Sequence, residues 1–400
     1  MTRLSARARA VPASPTFAIK ARAAALAASG RSIVDLSAGE PDFSPPAAAL
    51  DAAHAAIDAG ANNYAPVAGV QNLREAVAAR YRGSFDLDVN ADRVVVTHGG
   101  KQGLYELCQA LLDPGDEAIV LTPAWVSYLP QIGLAGARAV CVPGDPVDGF
   151  QPDPDAIAAA VTERTRCIFL NSPANPTGTV IERARLEAID AIAAERGLVV
   201  ISDEIYRAIT FDGVEAVCHG TLGDRSLSRT VLVDAVSKTW AMTGWRVGFL
   251  LGPADLMGAV TRLQSHSTSG VCRINEAAAL AAIEGSMDFL EPVRAGLAAR
   301  RDTLVAGLAT IDGIDLPSVP QGAFYLFPRV DGLFGRRGPD GEELTSGEDV
   351  AAALLELGGV ATVPGEGFGE PRCVRMSYAT TPADIESAVT RLGEAVAKLG

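Results

Sequence analysis

Between residues 93 and 252 the chain repeats one pattern, a short apolar run followed by a stretch with helical periodicity. The runs are "RVVVTH" (93–98), "EAIVL" (117–121), "RCIFL" (166–170), "LVVIS" (198–202), "TVLVD" (230–234) and "RVGFLLG" (246–252). Most are apolar without alternation, which suits strands covered on both faces in a largely parallel sheet. After Gly100, residues Leu104, Leu107, Cys108 and Leu111 fall at i, i+3, i+4 and i+7, and "DPGD" ends the stripe. Strand and helix in alternation predict an α/β domain with a mostly parallel sheet in three layers, spanning residues 46–290.

The remainder reads differently. A helical region (about 286–309) leads to "GAFYLFPRV", "VATVP" and "CVRMSYA", with helices near 347–358 and 381–399. This predicts a smaller α+β domain over 291–400, with residues 1–45 supplying an N-terminal arm and part of that domain. The glycine-rich, charged "DGLFGRRGPDGEELTSGE" (331–348) reads as a surface excursion.

Composition excludes several function classes. Acidic residues outnumber basic ones 48 to 34, for a formal charge of −14, which argues against a nucleic-acid partner. No window approaches the roughly 18 apolar residues of a membrane span. The start, "MTRLSARARAVPASP", has arginines but no apolar core behind them, so it does not read as a secretory signal. Cys108, Cys141, Cys167, Cys218, Cys272 and Cys373 form no CxxC pair, and the four histidines show no ligand spacing. The cysteines read as buried thiols in a reducing cytoplasm, with no metal site.

In doubly wound sheets, ligands sit beyond the carboxyl ends of the strands, so the polar residues after each run carry the chemistry. Gly99-Gly100-Lys101 follows the first run and opens a helix, offering backbone N–H groups to an anion; by itself it is equally a tight turn. "NSPANPTG" (171–178) holds two X-Pro bonds and a glycine, a rigid loop able to fix Asn175. Asp203 ends a buried strand, where a carboxylate is costly without a cation or strong donor, and Tyr206 follows three residues on. The alternative for Asp203 is a helix cap. "SKTWAMTGWRVG" then supplies Lys238 and Arg246, an amine suited to imine chemistry and a fork suited to phosphate. Singly, each cation could be an ordinary ion-pair partner. Together, the groups match a cofactor with a ring nitrogen to protonate, a phosphate and a carbonyl: pyridoxal phosphate.

The chain resembles the class I pyridoxal-phosphate aminotransferases of fold type I. Within them it is similar to bacterial aspartate aminotransferases that carry a lysine after the paired glycines. The resemblance runs through "LSAGEPDF" (36–43), "NYAPVAGVQNLREAVA" (63–78), "GGKQGLYE" (99–106), "LTPAWVSY" (121–128), "NSPANPTG", "SDEIY", "SKTWAMTGWRVG", "GAFYLFP" and "VRMSYAT" (374–380). It implies that Lys238 bonds to the cofactor aldehyde and shuttles the substrate proton, and that Asp203 keeps the pyridine nitrogen protonated. It assigns Tyr206 and Asn175 to the ring's phenolic oxygen and Trp125 to its face. Arg246, Ser237, Lys101 and the backbone of Gly99 and Gly100 go to the cofactor's phosphate end. Tyr64 is implied to reach the phosphate of the neighbouring subunit in a homodimer. Arg375 is implied to take the substrate α-carboxylate, with the Gly39 backbone, Trp125 and Asn175 beside it.

Two positions depart from the family pattern. Ala235 stands where many relatives have a hydroxyl that helps bind phosphate, and "SHSTSGVCRINEAA" (265–278) is unusual, with Arg273 unexpected in it. In the lysine-bearing subgroup that lysine and an N-terminal threonine meet a distal carboxylate; Lys101 and Thr16 occupy those positions. A cation in a first helical turn opposes the helix dipole, which fits an anion nearby. The implied reaction is transamination between aspartate, or another dicarboxylic amino acid, and 2-oxoglutarate. Prephenate or another aromatic or other amino acid is the alternative substrate, and a lyase or decarboxylase on the same scaffold is the alternative reaction.

Overall fold

The computed structural model describes residues 2–11, 15–223 and 225–400, and for residues 15–17 the backbone only. A seven-stranded sheet is formed by β1 (Val94–Thr97), β2 (Glu117–Thr122), β3 (Arg138–Pro143), β4 (Thr165–Asn171), β5 (Val199–Asp203), β6 (Thr230–Ala235) and β7 (Gly248–Leu251). Their order across the sheet is β1-β7-β6-β5-β4-β2-β3. All neighbours run parallel except at β7, which is antiparallel to both β1 and β6.

The continuous apolar runs have a direct cause: successive side chains point to opposite faces, and both faces are covered. Ala118, Val120, Cys167, Phe169 and Ile201 enter one core with Leu104, Leu107 and Cys108 of the helix Gly99–Leu111. Ile119, Ile168 and Val200 enter another with Leu186 and Ile189 of the helix Arg183–Arg196. The six expected strands are present, within one to two residues at most ends. The seventh, β3, has no counterpart in the sequence reading. It is an edge strand whose residues are largely exposed or half-buried, so the chain is under no pressure to make it a continuous apolar run.

A second core gathers Leu297, Leu304 and Leu308 from the helix Leu290–Leu308, Leu354 from Gly347–Gly358, and Ile385 and Leu392 from Pro382–Val396. Val34 and Leu36 from near the N-terminus and Tyr206, Ile209 and Phe211 from beyond β5 join it. Three short antiparallel strands, with Val374–Ser377 between Val363–Pro364 and Tyr325–Leu326, form its sheet. The helices start at sequence-readable caps: the Ser346 hydroxyl accepts the Asp349 N–H (3.1 Å) and Thr381 accepts that of Asp384 (3.1 Å).

One expectation needs refinement and one needs correction. The 331–348 segment runs largely over the surface but is anchored by Leu333 and Leu344, which are buried in the second core. Cys141 and Cys272 are exposed, and only Cys108, Cys167, Cys218 and Cys373 are buried. Cys141 lies on the uncovered edge strand and Cys272 precedes the helix Arg273–Glu284, two places an apolar neighbourhood does not predict.

Candidate active site

The parallel strands end together, and β4 and β5 finish side by side with Asn171 opposite Asp203. Asn171 uses both ends of its amide: its NH2 donates to the Asp203 carbonyl (2.8 Å) and its oxygen accepts the Asn175 N–H (2.8 Å). The proline loop is thereby fastened to the strand end, and the Asn175 side chain accepts from Arg375 Nη1 (3.0 Å). Arg375, on the central strand of the small sheet, also donates through Nη2 to the Ser37 carbonyl (2.8 Å), leaving its buried Nε unpartnered. A cavity of about 490 Å³ opens between these elements.

Asp203 forms part of its lining and is 6% exposed. Its Oδ2 accepts the Tyr128 hydroxyl (2.7 Å), and Oδ1 accepts the Ile205 N–H at 3.3 Å. Burial pushes its carboxyl up to about 6, with the Tyr128 bond acting the other way. Lys238 follows β6 on a one-turn helix, Val236–Thr239, and its Nζ donates to the Gly39 carbonyl in a short contact. Burial lowers its pKa to about 8; Glu40 raises it, and the Arg375 and Arg246 charges add to the lowering. A lysine so poised is far more often neutral near physiological pH than an exposed one. Tyr206 is buried beside it and shares a 2.8 Å hydrogen bond with the Tyr325 hydroxyl.

At the other end of the cavity the helix Gly99–Leu111 begins, with first-turn amides that have no intrahelical partner. Gly99 has φ +76°, and a Cβ there would stand 2.8 Å from Arg246 Cζ, so only glycine lets the guanidinium close on the turn. Arg246 itself adopts φ +56° and donates to the Thr243 carbonyl (2.8 Å). A non-glycine residue in this region stores strain that sites commonly hold. Lys101, one residue beyond Gly100, carries its Nζ 4.9 Å above the Trp125 ring. Burial and the Arg246 charge lower its pKa.

The cavity therefore brings together Gly39, Gly100, Lys101, Trp125 and Asn175 with Asp203, Tyr206, Ser237, Lys238, Arg246 and Arg375. Gly99 lies directly behind Arg246. The Thr16 side chain falls outside the described residues. Tyr64 is elsewhere, 95% exposed, on a loop that the unusual 265–278 segment helps to hold. From that segment buried Glu276 accepts the Val70 N–H (3.1 Å), and Gln264, just before it, donates to the Val67 carbonyl (2.6 Å). Arg273 is exposed. Tyr128, Tyr325, Asn171 and the pair Lys20–Glu40 were not singled out from sequence. Tyr128, Tyr325 and Glu40 sit inside motifs quoted above, but their partners are far away in the chain.

These groups suit a ligand with a cationic N–H at one end and a phosphate at the other. The buried Asp203 carboxylate has neutral donors only and no cation at ion-pair distance among the described residues. The glycine turn and Arg246 form an anion cradle. The sheet and the cavity that gathers a strand-end carboxylate and a buried lysine amine define an α/β protein with an enzyme-like site.

Comparison with known proteins gives the family. The family described as aminotransferase class I and II matches residues 31–392. An aspartate aminotransferase of Streptomyces avermitilis is 40% identical, covering 98% of this chain and 95% of its own. An aspartate/prephenate aminotransferase of Thermus thermophilus is 39% identical over the whole of both chains. Among solved structures, the aspartate aminotransferase of Rhizobium meliloti superposes with a TM-score of 0.96 at 36% identity, covering 100% of both chains. That of Thermus thermophilus with maleate gives 0.92 at 38% identity, covering 99% of this chain and 100% of its own. The chain belongs to the class I and II aminotransferases, and it is an aminotransferase with an α/β, mostly parallel fold.

Proposed function

We propose that the enzyme moves an amino group between a dicarboxylic amino acid, aspartate first among them, and 2-oxoglutarate, with pyridoxal phosphate as resident cofactor. Bound there, the cofactor supplies an electron sink for the charge left at the substrate Cα. Lys238 is the amine that would hold the cofactor carbonyl, and its amino group would carry the proton of the substrate Cα. Its lowered pKa suits a base at neutral pH. Asp203 gives the ring N–H a buried anionic partner, which Tyr128 keeps oriented. Tyr206, Asn175 and Trp125, which line the same cavity, would hold the ring. Arg246, Ser237 and the Gly99–Gly100 turn bind the phosphate. The cradle stands without the hydroxyl that Ala235 lacks.

Arg375 takes the substrate α-carboxylate, a role that fits a buried guanidinium with an idle Nε–H. Lys101 takes the distal carboxylate: it lines the cavity with its ammonium over Trp125, and among the described residues no carboxylate stands at ion-pair distance from it. The presence of maleate, itself a dicarboxylate, with a solved relative supports this choice. The working unit is a homodimer in which the exposed Tyr64 reaches the neighbouring phosphate. Six free thiols fit a reducing, cytoplasmic setting. The separate sheets and cores support a large domain over 46–290 and a small one formed by 291–400 with part of 1–45.

The observation that carries the reading is the placement of Lys238 and Asp203 in one cavity, Asp203 at the end of β5 and Lys238 just beyond the adjacent β6. The test is the absorbance of the purified protein with its cofactor, before and after adding aspartate, alanine, phenylalanine or arginine. Aspartate alone is expected to bleach the visible band of the lysine-bound cofactor, and 2-oxoglutarate to restore it. A best response to prephenate-derived or aromatic amino acids moves the substrate and leaves the reaction class standing. Release of ammonia or carbon dioxide makes the enzyme a lyase or decarboxylase, and a protein that never forms the band refutes the cofactor.

A further inference from the structure

Five cations and two carboxylates line the cavity, and the reading above employs only four of the cations. The fifth is Lys20, on the N-terminal helix Pro15–Ala28 one turn beyond Thr16. Its place is fixed by packing. Ile19, Ala23 and Leu26 seat the helix on Leu355 of the helix Gly347–Gly358 and on Ala361, in a small cluster of its own, and Arg22 meets Glu356 at 3.0 Å. Lys20 follows Ile19 and so projects from the flank of the seated face, into the cavity lining.

The partner of Lys20 is Glu40, 3.9 Å away, with the two side chains 44% and 62% exposed. A pair so long and so wet contributes little, and opening it costs little. Glu40 is the residue after Gly39, whose carbonyl accepts from Lys238, and Lys20 and Lys238 line the same cavity. A substrate with a second carboxylate offers this ammonium a short charge-assisted hydrogen bond in place of a long ion pair. A substrate with an apolar or absent side chain offers nothing.

We infer that Lys20 is a specificity-determining residue, which leaves Glu40 to bind the side-chain carboxylate of a dicarboxylic substrate together with Lys101. The inference rests on the dicarboxylate reading above. It places one clamp on each structural unit, since Lys101 belongs to a helix of the large sheet and Lys20 to a helix packed on Leu355 of Gly347–Gly358, whose Leu354 enters the second core. Selection of the distal carboxylate then depends on the N-terminal helix being seated.

The experiment compares wild type with Lys20→Met and Lys20→Arg as holoenzymes, in the half-reactions with aspartate and with alanine. In Lys20→Met the aspartate KM is expected to rise about tenfold, with kcat within about twofold and the alanine half-reaction unchanged. Lys20→Arg is expected to restore most of the aspartate preference. The alanine reaction reports that the variant is folded and loaded. An equal loss for both amino acids overturns the inference, as does weakened cofactor affinity, which would assign Lys20 to the phosphate. If wild type prefers aspartate and Lys20→Met keeps that preference, the inference alone falls. If wild type shows no preference for aspartate over alanine, the dicarboxylate reading falls and takes this inference with it.

Discussion

The two ends of the large sheet treat a buried carboxylate in opposite ways. Glu117 begins β2 at the amino end and is 1% exposed. It accepts from Arg138 Nη2 (2.7 Å), from Thr162 Oγ1 (2.7 Å) and from Arg164 Nε (2.9 Å) and Nη2 (2.7 Å). The Arg138 and Thr162 bonds, aided by Arg164, hold its carboxyl at about 2. Asp203 ends β5 at the carboxyl end, equally buried, with one hydroxyl and one long N–H bond; burial leaves it at about 6. The amino end is completed by the protein, whereas the carboxyl end is left for a ligand to complete. Incomplete satisfaction at one end of an otherwise consistent fold marks the place where stability is given up for function.

The largest break comes from removing the amine. Lys238→Ala takes away the amine proposed as both covalent anchor and base, and on that reading transamination of aspartate should fall by at least about 10⁴-fold in single-turnover assays. The cradle at Gly99 and Arg246 is untouched, so the cofactor should still bind by its phosphate. Its spectrum should lack the lysine-bound band. Retention of that band would mean that another amine holds the cofactor.

Asp203→Asn sharpens the comparison, since it should move activity and stability in opposite directions. An amide cannot act as the anionic partner of a ring N–H, and kcat should drop by about 10²–10³-fold. In the cofactor-free protein the effect reverses. A carboxyl raised to about 6 from an ordinary 3.8 favours folding when protonated, and that stability is lost as pH rises through 6. At pH 7.5 the variant is free of this cost and should unfold at higher denaturant, by up to about 3 kcal/mol. At pH 4 the gain should shrink. A cofactor-free Asp203→Asn protein less stable than wild type at pH 7.5 would show that the carboxylate is not strained.

What the sequence made legible divides along the same line. Strands buried on both faces had to be apolar throughout, so β4, β5 and β6 stood out; β3, at an edge, carries Arg138 for Glu117 and exposed positions that hide it. Residues that directly follow a strand, such as Asp203, and those inside compact motifs, such as Lys238 and Arg246, were readable from their setting. Their supporting contacts were not. Tyr128 reaches Asp203 across 75 positions, Tyr325 reaches Tyr206 across 119, and Arg375 reaches Asn175 across 200. Each is a pairing that only the folded chain creates. Lys20 was hidden for another reason: one lysine on an N-terminal arm looks like any solvated charge until its helix is docked.

The smallest effect belongs to the completed end. Glu117→Gln keeps the shape of the side chain and removes the charge that two guanidinium groups share. Both arginines are mostly exposed, so the loss is screened and should amount to about 1–2 kcal/mol at pH 7. The direction with pH is opposite to that of Asp203. A carboxyl lowered to about 2 stabilises the fold fully above its ordinary range near 4.5, and the contribution fades as pH falls toward 2. Wild type and Glu117→Gln should thus differ at pH 7 and converge below pH 4.5 in equilibrium unfolding. Aspartate kinetics at pH 7 should be unchanged within about twofold, because β2 separates Glu117 from the cavity by its whole length. A kinetic defect in a stably folded Glu117→Gln protein would mean that the two ends of the sheet are coupled, and that the amino end is more than scaffold.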